Sequence, residues 1–375
     1  MINKHFFLHA HFDLPPALQP WHGETEPDPA AEPYANLYEQ LFQTAIGPNT
    51  ASPLLDEDGR ILKFVNNFSY IGFDISPELF GWIERKHPRI YARILESDKQ
   101  QRSRHGGHGG AIATAAVSLI APLESDLDKR AAVLWGIADF RRRFDRAPEG
   151  FWLPENAADE KTLEILAEEG IQYTLLAPRH AEAVRPVDST DEKDWQRVAS
   201  ETLGTTRPYR WRSQSDPRKT LAVFFYRTDL NPVRIYDKLP FALSTQTPLK
   251  TSREQVLDVG RRFANRMIDS FTANNSVEFS HVAVDGGLFG YSRLNGNRAL
   301  TYSLDYLLRE APAKLTTGRI SKTLPSAGRS APVPRLAIMR SRRSQMERRL
   351  RLQQSARRME ASFSRSHRPI RQRRR

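Results

Sequence analysis

Glu149-Gly-Phe-Trp-Leu-Pro-Glu155 leads into Asn-Ala-Ala-Asp159, a mixed charged and apolar run to Glu169, and then Gly170-Ile-Gln-Tyr-Thr-Leu-Leu-Ala177. Residues 149–153 are short and apolar, as a buried strand is. Residues 159–169 open with acids, carry Leu163, Ile165 and Leu166, and stop at Gly170, where a helix cap belongs. Residues 172–177 are a second apolar run. A strand, a helix and a strand in direct succession make a parallel pair joined by a crossover.

The same alternation extends outward in both directions. Apolar runs at residues 4–12, 62–70, 220–226 and 279–284 read as further buried strands. Residues 128–144 place Val133, Leu134, Ile137, Phe140 and Phe144 near one helix face. The pattern predicts an α/β fold, as a parallel sheet or barrel with crossover helices. The ends of the runs are chemically loaded: His9, His11 and Asp13 after the first, Glu155 after residues 149–153, Asp285 after the last. In α/β barrels, catalytic groups gather at the C-terminal strand ends. Residues 24–36 read as a loop over that site, and 188–196 as a charged surface excursion.

The chain has 375 residues and a formal net charge of +12. From residue 316 onward there are 18 Lys or Arg against two acids, which leaves 38 basic and 42 acidic residues in 1–315. The folded part is therefore mildly acidic. The basic balance marks a tail over 316–375, expected to be disordered and to touch nucleic acid weakly if at all. No cysteine is present, so disulfides and thiolate metal sites are excluded. The longest apolar stretch, residues 111–123, falls short of the roughly 20 residues that cross a bilayer. A cytoplasmic chain with no membrane partner is expected.

Four constellations can carry chemistry. On the first strand, Phe6, Leu8, Ala10 and Phe12 share one face, and His5, Phe7, His9, His11 and Asp13 the other. His9 and His11 then face inward, as sugar-binding donors or, with a carboxylate, as metal ligands. His105-Gly-Gly-His108-Gly-Gly110 lacks the ending of a phosphate-binding loop. Its glycines would let backbone approach a ligand, with His108 as a hydroxyl donor. Trp152-Leu-Pro-Glu155 sets an aromatic face, which stacks on a pyranose ring, beside a carboxylate. Glu155 is either that catalytic carboxylate or the opening of the next helix. His281-Val-Ala-Val-Asp285-Gly-Gly sets Asp285 as a general acid at a strand end or as the start of a glycine turn.

Taken in this order, the motifs resemble glycoside hydrolase family 57, over roughly residues 5–312. The resemblance rests on His9-Ala-His11-Phe-Asp-Leu-Pro15-Pro16, Gly107-His108-Gly109 and Trp152-Leu-Pro-Glu155. Trp135-Gly-Ile-Ala-Asp139 and Arg146-Ala-Pro-Glu-Gly150 add to it, and point to a bacterial subgroup of the family. It implies an incomplete (β/α)7 barrel over residues 1–315 with its site at the C-terminal strand ends. It implies a retaining glycosidase or transglycosylase acting on α-linked glucan, an oligo- or polysaccharide substrate, and no cofactor or metal. Glu155 would be the nucleophile and Asp285 the acid/base, with His9, His11, His108 and Trp152 binding substrate. Where the subgroup has Asp-Gly-Glu-Thr, this chain has Asp285-Gly-Gly-Leu288. Two alternatives follow: an impaired barrel that only binds glycan, and a metal-dependent carbohydrate hydrolase using His9, His11, Asp13 and His108.

Overall fold

The computed structural model describes residues 4–310, except 16, 19–22, 57, 188, 190, 231, 241–251 and 273–278, and the backbone of 313–315 and 335–338. Strand β1 (Lys4–Phe12) is central. A hairpin of β2 (Ser52–Leu55) and β3 (Ile61–Val65) precedes β4 (Gly72–Ile75), which lies parallel to β1. Next come β5 (Ala113–Thr114), β6 (Gly150–Trp152) and β7 (Tyr173–Leu176), parallel to one another in that order. Strands β8 (Ala181–Arg185), β9 (Gln196–Arg197) and β10 (Tyr209–Arg212) are antiparallel additions, β10 pairing with β11 (Thr220–Phe225). Strand β11 runs parallel to β7, and β12 (Phe279–Asp285) returns parallel to β1.

Seven parallel strands thus follow one another as β12–β1–β4–β5–β6–β7–β11. Two junctions are thin. Phe73 bridges to Ala111 just before β5, and the Arg227 amide donates to the His281 carbonyl at 2.9 Å, linking the end of β11 to β12. Helices fill the crossovers, among them Pro77–Lys86, Asp126–Phe144, Glu160–Glu168 and Arg253–Thr272, and Gly296–Glu310 follows β12. This is the α/β class expected, built on the seven strands of a (β/α)7 barrel.

Two apolar layers hold it. Phe6, Leu8, Ala10 and Phe12 pack outward with helix residues such as Phe80 and Phe263. Phe7, Ile112, Trp152, Tyr173, Leu175, Ala222, Phe224 and Phe279 form a separate inner cluster about the axis. Each buried aromatic or branched side chain contributes about 1.5–3 kcal/mol of transfer free energy. The helix Glu160–Glu168 starts at Asp159, whose carboxylate accepts from the Thr162 amide, and ends at Gly170 with φ of 82°.

Several expectations need correction. Residues 62–70 are not a buried strand. Ile61, Leu62 and Phe64 of β3 are 55–64% exposed, and the barrel strand begins only at Gly72. An apolar run on an exposed hairpin has the composition of a buried strand. Leu134 faces away from the core at 40% exposure, unlike Val133, Ile137 and Phe140. Within residues 316–375, the backbone of β13 (Arg335–Ile338) pairs with β8 and β10. The rest of 316–375 lies outside the described residues. Among the described residues no helix is long and apolar enough to cross a membrane.

Candidate active site

The inward face of β1 carries Phe7, His9 and His11, one above the other. Strand β4 sets Asp74 level with His11. The Asp74 carboxylate takes both imidazoles: Oδ1 lies 2.8 Å from His9 Nε2 and Oδ2 lies 2.6 Å from His11 Nδ1. His9 and Asp74 are buried. Burial pushes the His9 pKa below its ordinary value, against the pull of Asp74. Burial opposes charge on His11 too, but Asp74, helped by Asp13 and Asp285, outweighs it and raises that pKa. Asp74 is held below the usual carboxylate range: burial would raise it, and the charge and hydrogen bonds of the two histidines prevail. At neutral pH, Asp74 is therefore an anion accepting from a neutral His9 and from a His11 that readily carries charge.

Trp152 reaches across from β6 and stacks on both imidazoles, each at 5.1 Å between ring centres. Its indole N–H is buried with no hydrogen-bond partner among the described residues. Asp285, at the C-terminal end of β12, is paired in register with His11. One Asp285 oxygen accepts from the Gly287 amide at 2.8 Å, so the residue does open a glycine turn. Asp13 accepts from Ser118 Oγ at 2.8 Å and lies 4.0 Å from His11 Nε2.

Glu155 follows β6 in a short 3-10 turn, Pro154–Asn156, and its side chain is exposed. Its backbone is left-handed, at φ 55° and ψ 10°, and Asn156 follows at φ 50°. Such a conformation costs a residue with a side chain roughly 1–2 kcal/mol. Strain of this kind gathers at functional sites. The turn does not open the next helix directly, since that helix is capped by Asp159.

Of the expected site residues, the fold brings His9, His11 and Trp152 into contact and places Asp285 beside His11. Glu155 lies on the same rim, at the end of the strand that carries Trp152. His108 is not with them. It precedes β5, and its Nδ1 lies 2.8 Å from Glu149, which precedes β6, so the pair sits at the N-terminal end of the barrel. The two glycines after it are closely packed. A Cβ on Gly109 would lie 2.1 Å from the Asp98 carboxylate, and one on Gly110 would lie 2.1 Å from the Gln101 amide. Arg146 holds Asp98 from two nitrogens, at 2.8 and 3.0 Å, so these glycines serve packing.

Asp74 and Asn156 escaped sequence reasoning. A carboxylate inside the apolar run Gly72-Phe-Asp-Ile75 was the available sign, since unpaired acids are rarely buried. Among the described residues no group of three or more His, Asp or Glu side chains is arranged to hold a metal ion. His9 Nε2 and His11 Nδ1 both engage Asp74 instead of converging on a shared point.

Residues 30–315 match the model of Glycosyl hydrolase family 57, and the chain belongs to that family. Solved structures share its fold. A 4-alpha-glucanotransferase from Thermococcus litoralis matches 90% of this chain at 15% identity and a TM-score of 0.54. A GH57 branching enzyme from Thermococcus kodakaraensis also matches 90% at 15% identity, with a TM-score of 0.56. The alpha-amylase AmyC from Thermotoga maritima matches 94% at 12% identity, with a TM-score of 0.56. The chain spans 42% of the glucanotransferase, 73% of the branching enzyme and 80% of the amylase. No curated protein matches it in sequence.

Proposed function

We propose that the chain is a retaining glycosidase or transglycosylase acting on α-linked glucan, with Glu155 as nucleophile and Asp285 as acid/base. The observation that supports this reading is that two exposed carboxylates stand at C-terminal strand ends on one rim: Asp285 is in register with His11, and Trp152, whose strand leads to Glu155, stacks on His11. In the proposed reaction Asp285 protonates the leaving glycosidic oxygen while Glu155 attacks the anomeric carbon. Water or a glucan hydroxyl, deprotonated by Asp285, then releases the sugar. Retention requires the two carboxyl groups to close to roughly 5–5.5 Å across the bond. Trp152 offers a face to a pyranose ring, and His11 offers its outer N–H to a hydroxyl.

The test is turnover on a panel of amylose, amylopectin and maltooligosaccharides. Glu155→Gln should abolish it. Asp285→Asn should lower kcat by about 10²–10⁴-fold, the range for loss of a general acid. Full activity in Glu155→Gln contradicts the assignment.

One observation favours a second reading, that of a barrel that binds glycan without cleaving it. Asp285 serves a turn through Gly287, in a motif that departs from the Asp-Gly-Glu-Thr pattern of the subgroup it resembles. Saturable glycan binding with no turnover on the same panel supports that reading.

A further inference from the structure

Glu155 stands in a backbone conformation that its own side chain disfavours, so its neighbours must hold it. We propose that Asn156 is the positioning residue for Glu155. Its side-chain amide continues the β6–β7 ladder by one rung while the main chain turns away and carries Glu155 to the rim. The inference rests on Glu155 as the reacting carboxylate.

The backbone pairing of β6 with β7 ends at Phe151 and Thr174. Beyond it, the Asn156 amide donates from Nδ2 to the Leu175 carbonyl at 2.8 Å and accepts at Oδ1 from the Ala177 amide at 2.8 Å. Leu175 and Ala177 flank Leu176. In a parallel ladder, a strand residue donates to the carbonyl before its partner and accepts from the amide after it. The side chain of Asn156 thus forms, with the residues on either side of Leu176, the two bonds that a strand residue paired with Leu176 would form.

The amide is buried, so both bonds are needed. Aspartate has no donor for the Leu175 carbonyl, and glutamine is one methylene too long. The Tyr226 hydroxyl, next after β11, reaches Oδ1 at 3.5 Å. On the backbone side, the Asn156 amide donates to Leu153 at 2.9 Å and the Ala157 amide to Pro154 at 3.0 Å, closing the turn. Asparagine also tolerates the left-handed region better than most residues. One residue therefore supplies both the turn and the rung that fixes it.

Asn156→Gly separates these roles, because glycine keeps the left-handed backbone and removes only the amide. The expected result is a fall in kcat of about 100-fold, the effect of a misplacement of about 1 Å, with KM nearly unchanged. A crystal structure of the variant should show Glu155 displaced from φ near +55°. Asn156→Asp keeps the Ala177 bond and loses the Leu175 bond, so it gives the same result in milder form if the glycine variant does not fold. Wild-type kcat in either folded variant overturns the proposal. Glu155→Gln, assayed alongside, separates the two claims. If it turns over like wild type, the catalytic reading fails and the crystal structure alone decides on Asn156: an unmoved Glu155 backbone overturns the positioning role.

Discussion

At the scale of single residues, Asp74 ties the site together. Asp74→Asn removes the carboxylate that raises the His11 pKa, so burial is left to lower it. The alkaline limb of the kcat/KM profile should move to lower pH. Activity should fall about 10- to 100-fold, as loss of a charged hydrogen bond worth about 1.5–3 kcal/mol implies. An unchanged profile contradicts this role. Asp74's share of stability is full above its unfolded pKa of about 3.9 and is lost as pH falls through its lower folded value. His11's share is full below about 6.5 and is lost as pH rises through its higher folded value.

His281 acts in a third way. It is fully buried beneath the site, both ring nitrogens lack a partner among the described residues, and burial pushes its pKa down to about 3. The unfolded chain binds that proton near pH 6.5, so stability should drop by about 1.4 kcal/mol per unit as pH falls below it. Urea unfolding at pH 7.5 and pH 5 should show His281→Leu losing about 2 kcal/mol less than wild type between the two. Equal losses would remove His281 from the acid response.

At the scale of elements, the helix Asp126–Phe144 lies close against β5. A Cβ on Gly136 would lie 2.0 Å from the Thr114 carbonyl, which is backbone and cannot swing aside. Gly136→Ala should cost about 1–3 kcal/mol by overpacking, read as a lower urea midpoint with an unchanged slope. Wild-type stability would mean that the helix has room to shift.

The strands of the site were legible where alternation was clean. The β1 pattern sets Phe7, His9 and His11 on one face: Phe7 lies in the inner cluster, and His9 and His11 stack on its Trp152. Other strands were illegible for physical reasons. Strand β5 has two residues, too few to show a period. Strand β4 hides a charge that only pairing with two histidines from another strand makes tolerable. The β3 run imitated a buried strand because composition does not say which side water is on. The motif around His108 does not reveal at which end of a barrel its loop emerges.

At the scale of the whole molecule, the fold was readable because strand, helix and strand follow in order, a local property of the chain. Which rim residues meet is not local. Glu155 and Asp285 come from strands separated around the ring by β1, β4 and β5, and their meeting depends on closure. The family places the chain among glycoside hydrolases.

As the proposed nucleophile, Glu155 forms a covalent bond to the sugar. Incubation with a 2-deoxy-2-fluoro-α-glucosyl fluoride, followed by peptide mass spectrometry, tests it directly. One added fluoroglucosyl group is expected, on the peptide that contains Glu155 and on that residue. An adduct on any other carboxylate, or none in a preparation that cleaves or transfers glucan, contradicts it.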